Sequence, residues 1–299
     1  MPLQLSGKVA VVTGASRGVG KGIALELGAA GATVYLTGRT VSPGPLPGTI
    51  TDTAAEVTAL GGIGIPVRCD HHDDDQVAAL FAQVEAEQGH LDILVNNVFS
   101  APDLAPWLHR SFWELPLRAW DQVLGIGLRS HYVACVYAAP LLLEAQQPGV
   151  IVNISSSGAA SYGHNVVYGV GKAALDKMTA DMAVELRPQG ITVVSVWPGL
   201  VHTELLATAT RTTDDGRTVV DLPGEGTFDV THAESPRFVG RGVVALACDP
   251  GVLERSGGIV TTAELSARYG FTDVDGTGPG VALRTGSGQR SSAAAPPQG

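Results

Sequence analysis

The sequence predicts an α/β protein with a doubly wound parallel sheet. Short apolar runs alternate with helical patterns from the start of the chain, and most runs are continuously apolar. Strands of that kind are buried on both faces, as in parallel sheets whose crossover helices cover both sides. A glycine-rich turn follows the first run, which is typical of the first strand–helix junction of such a sheet. We therefore expect one sheet flanked by helices.

The predicted elements follow one another in a regular order. Seven strands are expected, at residues 9–13, 33–36, 65–68, 93–95, 150–154, 192–196 and 257–262. The first helix follows the glycine turn, and longer helices are expected at 118–144, 167–187 and 239–247. Thr53 and Glu56 have the spacing of a capping box and predict the start of the second helix. Asp73 is placed to cap the third.

The domain organisation is simple. The pattern contains one core and no internal repeat, which predicts a single Rossmann-like domain over residues 1–275. Residues 200–235 are irregular and interrupt the strand–helix rhythm, so we expect a loop there. Residues 276–299 are rich in Gly, Ser, Ala and Pro, a composition that predicts a flexible tail.

Composition and charge argue against several classes of partner. The 299 residues carry a formal net charge of −10, and an acidic surface repels nucleic-acid phosphates and anionic lipids. No apolar run approaches the ~18 residues of a membrane span, and residues 1–7 lack the pattern of a secretory signal. Three scattered cysteines favour neither a disulfide framework nor a zinc cluster. We expect a cytoplasmic protein that binds neither nucleic acid nor membrane.

The glycine turn has the features of a phosphate-binding loop. Residues 13–20 read T-G-A-S-R-G-V-G, between a predicted strand and a predicted helix. Glycines at 14, 18 and 20 would allow a tight turn, a close approach of backbone to a pyrophosphate, and close packing of helix on strand. Because many turns contain glycine for backbone reasons alone, the position at the first strand–helix junction carries the prediction.

A second motif has the chemistry of proton transfer. Tyr168 and Lys172 are four residues apart on a predicted helix and share one face. A neighbouring cation stabilises a phenolate and lowers the pKa of the phenol, so that tyrosine can act as acid or base. The preceding strand ends in serines at 155–157.

These motifs together resemble the short-chain dehydrogenase/reductase family. The glycine spacing, Asp70 after the third strand, Asn97 after the fourth, the serines, the Tyr–Lys helix and P-G-x-x-x-T at 198–203 occur in the family's order. The resemblance implies that Ser156, Tyr168 and Lys172 are catalytic and that the loop at 200–235 binds substrate. The family's commonest spacing from the tyrosine would select Ser155 as the serine that binds a substrate oxygen, whereas strand register favours Ser156. The resemblance also implies a homodimer or homotetramer, joined through the apolar helices 118–144 and 167–187. The cofactor-binding residues would be Gly14, Ser16, Arg17, Gly18, Val19, Gly20, Arg39, Asp70, Asn97, Tyr168, Lys172, Pro198, Gly199, Val201 and Thr203.

The chain departs from the family pattern at position 127, in the final strand and at the end of the fourth strand. The run G-G-I-V-T-T at 257–262 lacks the family's usual acidic D-G-G ending. The family's N-N-A-G reads N-N-V-F at 96–99, and glycine stands at position 127 where the family commonly has asparagine. The resemblance implies that the main-chain carbonyl at this position holds a water of a proton relay, which any residue can supply. Gly125 and Gly127 also weaken the helix, so we predict a local distortion there and only a modest effect of Gly127→Asn. S-F-W-E at 111–114 and G-L-R-S-H-Y at 127–132 are similar to one branch of the family.

The nucleotide preference follows from the end of the second strand. Residues 36–39 read L-T-G-R, without the carboxylate that would bind the ribose hydroxyls of NAD. Arg17 and Arg39 could instead hold a 2′-phosphate through charge-assisted hydrogen bonds. The predicted cofactor is therefore NADP(H).

The predicted function is interconversion of a carbonyl and an alcohol by an NADP(H)-dependent oxidoreductase, with the carbonyl-reductase activity implied by the resemblance. One alternative is a catalytically silent dinucleotide-binding regulatory protein, which Gly127 would favour. A nucleotide-sugar epimerase or dehydratase is a weaker alternative, because those chains are usually longer and use another glycine spacing. The run H-H-D-D-D at 71–75 resembles a metal cluster, but it is placed where acids stabilise a helix start, so no metal is predicted.

Overall fold

The computed structural model describes residues 4–99, 107, 110–145, 148–222 and 226–278. Most of the predicted tail, 276–299, therefore lies outside the described residues. So does most of the segment between the fourth strand and residue 110.

A seven-stranded parallel sheet forms the centre of the protein, which confirms the predicted fold class. The strand order is β10-β6-β5-β4-β1-β2-β3, and every pairing is parallel. The order reverses between β1 and β4, and ligands of open parallel sheets bind at the carboxyl ends of the strands at such a point. The strands are β1 (Val9–Val12), β2 (Thr33–Gly38), β3 (Ile63–Arg68), β4 (Ile93–Asn96), β5 (Val150–Ile154), β6 (Thr192–Trp197) and β10 (Ile259–Thr261).

Helices cover both faces of this sheet. They are α1 (Gly18–Ala29), α2 (Ile50–Ala59), α3 (Asp74–Gln88), α4 (Arg118–Leu124), α5 (Ser130–Glu144), α6 (Val166–Leu186), α7 (Glu204–Ala207), α8 (Pro236–Cys248) and α9 (Thr262–Tyr269). Along β1, Ala10 and Val12 pack towards α1 and α8, while Val9 and Val11 pack towards α3 and α5. All four residues are buried, which explains why the strands read as continuous apolar runs.

The start of α2 differs from the prediction. The helix begins at Ile50, and its N-cap is Thr49, whose hydroxyl accepts a hydrogen bond from the backbone N–H of Asp52. Thr53 lies inside the first turn, where its hydroxyl donates to the Thr49 carbonyl, so the capping box predicted at 53–56 is wrong. The prediction for α3 is confirmed, since the Asp73 carboxylate accepts from the N–H groups of Asp75 and Gln76.

The long helix predicted at 118–144 is interrupted by a π-turn at Gly125–Arg129, between α4 and α5. The backbone N–H of Ser130 reaches the Gly125 carbonyl, five residues back, and the Ser130 hydroxyl donates to the Ile126 carbonyl at 2.7 Å. The predicted distortion near Gly127 is thereby confirmed. Length and composition alone would let Arg118–Glu144 cross a membrane, but more than half of its most apolar window is buried within the protein, as in core helices.

Residues 200–235 contain a second, smaller sheet that was not predicted. It consists of antiparallel strands β7 (Thr210–Thr212), β8 (Thr218–Leu222) and β9 (Gly226–Asp229). The β7–β8 hairpin turns through Asp215 and Gly216, the glycine having φ +83°. Asp-Gly is a hairpin signal, because glycine adopts positive φ at no steric cost.

The two helices proposed to join subunits present mixed faces. Of the side chains that suggested an apolar interface, those of Val133, Leu141, Leu142 and Leu175 are buried in the core, whereas those of Val136 and Leu143 are exposed. Tyr132 on α5 and Val170 and Val184 on α6 add exposed apolar surface. The helices therefore contribute mainly to the core, and the predicted subunit interface through them stays a prediction.

Candidate active site

The glycine turn lies at the carboxyl end of β1, where the strand order reverses. Gly14 and Gly18 have φ of +68° and +56°, in the left-handed region that favours glycine. A Cβ on Gly20 would lie 2.3 Å from the Gly14 carbonyl oxygen, so no side chain fits there. The conformation and the close packing of the turn therefore require glycine, and its residues fit a dinucleotide.

Asn97 braces this turn from the end of β4. Its side-chain amide donates to the carbonyls of Thr13 and Gly14 at 2.9 and 3.1 Å, and its backbone N–H donates to the Thr13 hydroxyl at 2.9 Å. The predicted cofactor residue thus holds the shape of the loop.

Ser156 and Tyr168 come together at the carboxyl end of β5. The Tyr168 hydroxyl donates to Ser156 Oγ over 2.9 Å. Ser155 is buried and its hydroxyl donates to the Lys172 carbonyl at 3.3 Å, so the geometry favours Ser156, as strand register did. Asn165 caps α6 by accepting from the backbone N–H of Tyr168, so the helix begins at Val166, two residues before the tyrosine.

Lys172 lies one helical turn after Tyr168 and faces the same site. Its residue is 8% exposed, and its ammonium donates to the Ile154 carbonyl at 2.9 Å. That carbonyl ends β5, directly before the serines. The strand therefore positions the serine and the lysine together.

Comparison with known proteins decides the family. The family model described as "short chain dehydrogenase" matches residues 8–214, which include the glycine turn and the Ser–Tyr–Lys group. The chain belongs to the short-chain dehydrogenase family. The Mus musculus protein "Dehydrogenase/reductase SDR family member 1" is 44% identical over 283 residues, covering 92% of this chain and 86% of the relative. The Homo sapiens protein of the same name is 45% identical over 278 residues, with the same coverage.

Solved structures of this family share the fold. A putative dehydrogenase from Xanthomonas campestris has a TM-score of 0.75 at 27% identity, covering 94% of this chain and 99% of that one. A metagenomic short-chain oxidoreductase in complex with NADP has a TM-score of 0.66 at 28% identity, covering 86% and 97%. A 7α-hydroxysteroid dehydrogenase complexed with NADH and a 7-oxo bile acid has a TM-score of 0.70 at 25% identity, covering 87% and 94%. The family therefore binds nicotinamide dinucleotides, and these neighbours hold both kinds.

Burial dominates the electrostatics of the short-chain dehydrogenase site. Burial lowers the pKa of Lys172 to about 8, while the nearby Asp176 carboxylate acts in the opposite direction. Burial also raises the pKa of Tyr168, and the hydrogen bond with Ser156 offsets part of that increase. The sequence predicts a lysine-lowered phenol pKa; in this structure desolvation is the larger influence. The phenol is therefore protonated at neutral pH.

The family's P-G-x-x-x-T segment lies against the glycine turn. The methyl group of Thr203 lies 3.4 Å from where a Cβ of Gly18 would be. The neighbouring Glu204 accepts a hydrogen bond from the Gly18 backbone N–H at 2.7 Å. A carboxylate thus binds at the N-terminus of α1, the position that favours an anion. No motif in the sequence marks Glu204.

A buried carboxylate, also missed from the sequence, supports this segment from behind. Glu234 accepts from the Thr262 hydroxyl at 2.7 Å and from the Gly199 backbone N–H at 3.1 Å. Its backbone pairs with Leu200 and His202. A side chain at 199 would meet the Glu234 carboxylate at 2.6 Å, which explains the glycine. Pro198–Thr203 is therefore held by a residue some thirty positions later, a contact with no local sequence signal.

Arg17 and Arg39 are in different situations. Arg17 donates to the carbonyls of Leu46, Pro47 and Gly48, so it anchors the loop after β2 beside the glycine turn. Arg39 is 61% exposed in its side chain and lies 3.9 Å from the Asp70 carboxylate. Arg39 and Asp70 thus lie together just after the carboxyl ends of β2 and β3.

Ser16, Val19 and Val201 are also among the predicted cofactor residues. Ser16 contributes a carbonyl against which Gly48 packs closely. Val19 and Val201 turn their side chains to the core beneath the turn.

Asp176 was missed from the sequence and connects the lysine to β6. It lies one turn after Lys172 on α6. Its carboxylate accepts from the Ser195 hydroxyl at 2.5 Å and from the Trp197 indole N–H at 3.1 Å. Trp197 directly precedes the P-G-x-x-x-T segment, so the Asp176 carboxylate joins α6 to the strand that leads into that segment.

The histidines of the 71–75 run do not converge. His71 is buried and its Nε2 lies 2.7 Å from the Thr37 hydroxyl, whereas His72 is exposed. Among the described residues, no group of three or more His, Cys, Asp or Glu side chains is arranged to hold a metal ion.

Proposed function

We propose that the protein is an NADP(H)-dependent oxidoreductase that interconverts a ketone or aldehyde with an alcohol. The observation that carries the proposal is the hydrogen bond from Tyr168 to Ser156 beside the buried Lys172. Bound NADPH would supply the hydride, and the chain's own residues would handle the proton and the substrate oxygen. Membership in the short-chain dehydrogenase family supports an oxidoreductase. The choice of NADP(H) and of a carbonyl or alcohol substrate is what we add to it.

Ser156 is arranged to orient a substrate oxygen. Its Oγ accepts hydrogen bonds from the Tyr168 hydroxyl at 2.9 Å and from the Gly158 backbone N–H at 3.2 Å. With both lone pairs engaged, the serine O–H is left to donate to a carbonyl oxygen. The carbonyl would then lie beside the phenol.

Tyr168 is arranged to donate a proton in the direction of reduction. Its raised pKa keeps the phenol protonated at neutral pH. Lys172, whose pKa is about 8, is mostly protonated there and stabilises the phenolate that remains after transfer. The ammonium lies 5.9 Å from the phenol ring centre.

The test is a panel of ketones and aldehydes, followed through NADPH absorbance, with wild type and Tyr168→Phe. Removing the phenol should lower kcat by about 10²–10⁴-fold, the usual contribution of a general acid. Tyr162→Phe is the matched control, because that tyrosine is 65% exposed and lies in the same segment. Near-normal turnover by Tyr168→Phe would refute the assignment. Wild type that binds NADPH and reduces no member of the panel would favour the silent binding protein.

A further inference from the structure

Two of the departures from the family pattern, at positions 99 and 127, are in contact. A Cβ built on Gly127 would lie 3.1 Å from two ring carbons of Phe99, Cδ2 and Cε2. That is closer than most Cβ atoms come to a neighbour, so any side chain at 127 would have to move the ring. The aromatic residue that replaces a family glycine thus occupies the space left by the glycine that replaces a family asparagine.

The same ring contacts both members of the proton-transfer pair. Phe99 and Tyr168 make an edge-to-face contact, with ring centres 5.9 Å apart and planes at 84°. The Lys172 ammonium lies 4.9 Å from the centre of the Phe99 ring, within the range of a cation–π interaction. Trp107, Val123 and Val167 form a small buried cluster against which the ring packs. The ring is therefore held from behind while its other surfaces meet the site.

We propose that Phe99 is a positioning residue for Tyr168 and Lys172, and that glycine at position 127 provides the space it requires. The role of the Tyr168–Lys172 pair in this inference rests on the proposed function, whereas the contacts of Phe99 with the pair are independent of it. Lys172 is held on one side by the Ile154 carbonyl and on another by the aromatic ring, which fixes its ammonium near the phenol.

This placement gives the ring two opposing effects on the lysine. An aromatic face attracts an ammonium and favours its charged form, whereas an apolar wall excludes water and disfavours that form. The titratable groups acting on Lys172 are Asp176 and Tyr168 on its own helix and His131 on α5, which is neutral because burial lowers its pKa to about 3. Substitutions at 99 that leave these groups in place can separate the two effects.

Two variants should move the pKa of Lys172 in opposite directions. Phe99→Leu keeps an apolar wall and removes the aromatic face, so the pKa should fall below about 8. Phe99→Ala admits water, so the pKa should rise towards 10.5 by about one unit. Phe99→Tyr keeps the aromatic face and the barrier to water, so the pKa of Lys172 should match that of wild type.

The measurement is an NMR titration of ¹³Cε-labelled lysine in the full-length protein without cofactor. The chain has four lysines, Lys8, Lys21, Lys172 and Lys177, so the signals can be assigned with single Lys→Arg variants. The other three lysines are internal controls and should titrate identically in every variant. Equal Lys172 pKa values in Phe99→Leu and Phe99→Ala would overturn the inference. This readout is independent of turnover, so it distinguishes failure of the inference from failure of the proposed function.

A double-mutant cycle in the active enzyme tests the spatial half of the inference. Gly127→Asn should lower kcat at least tenfold, because the new side chain displaces the ring; from sequence alone a modest effect was expected. Phe99→Gly combined with Gly127→Asn restores the family pattern and should recover much of that loss. Gly125→Asn is the matched control, since it lies in the same π-turn and its Cβ would make only an ordinary 3.4 Å contact with His72. Additive effects of the two substitutions, or an equal loss in the control, would overturn the inference.

Discussion

Arg39 is the side chain on which the proposed choice between NADP(H) and NAD(H) depends. It follows β2 and is exposed beside Asp70, whereas Arg17 is committed to the carbonyls of the neighbouring loop. A 2′-phosphate would therefore recruit Arg39 first. Charge-assisted hydrogen bonds of this kind contribute about 1.5–3 kcal/mol, so Arg39→Asp should weaken NADPH binding by about 10- to 100-fold.

The measurement for Arg39→Asp is kcat/KM with each nucleotide in parallel. NADH serves as the internal control, because it lacks the 2′-phosphate, and its kcat/KM should stay unchanged or rise. Equal losses with both nucleotides, or no loss with NADPH, would contradict the assignment.

Single residues differ in how far the sequence reveals them. Ser156 could be chosen over Ser155 because the alternation of side chains along β5 is a local property of the chain. Glu234 and Asp176 could not be found, because what they do depends on contacts with segments 35 and 19 or more positions away, at Gly199 and Ser195. Phe99 and Gly127 were both noticed as departures, but their contact belongs to the fold.

Whole elements were predicted better where burial on both faces imposes the pattern. The strand β5 has the predicted bounds, and the other sheet strands agree to within a few residues. The start of α2 was misplaced because two threonines four residues apart, Thr49 and Thr53, can both serve as caps. The N-cap is Thr49, which follows Pro47 and Gly48. The β7–β9 sheet was missed because its strands have only three to five residues, so that little besides the Asp-Gly turn marks them in the sequence.

For the whole molecule, two buried histidines make stability depend on pH. Burial lowers the pKa of His71 to about 4 and of His131 to about 3, from an ordinary value of 6.5. Below pH 6.5 the unfolded chain takes up protons that the folded chain refuses, so the free energy of unfolding falls as the pH falls. At pH 5 each histidine should account for a loss of about 2 kcal/mol.

Denaturant unfolding at a series of pH values between about 7 and 5 measures this loss. His131→Gln keeps a donor for the Val98 carbonyl and removes one titrating group, so its pH dependence should be shallower than that of wild type. His202→Gln and His232→Gln, at exposed positions, should retain the wild-type slope. An unchanged slope in His131→Gln would show that other groups carry the acid sensitivity.

The Glu204 carboxylate accepts a hydrogen bond from the Gly18 N–H, so it would compete with the proposed nucleotide for that donor. A pyrophosphate at the start of α1 has to take that N–H from the carboxylate. Glu204→Gln should therefore bind NADPH more tightly, by up to about tenfold, in a fluorescence titration. An unchanged dissociation constant would show that displacing the carboxylate does not weaken nucleotide binding.

Because Glu204 begins α7 and the small sheet follows it, its displacement would change the position of the segment proposed to bind substrate. Steady-state kinetics should then be sequential and ordered, with the nucleotide entering first and leaving last.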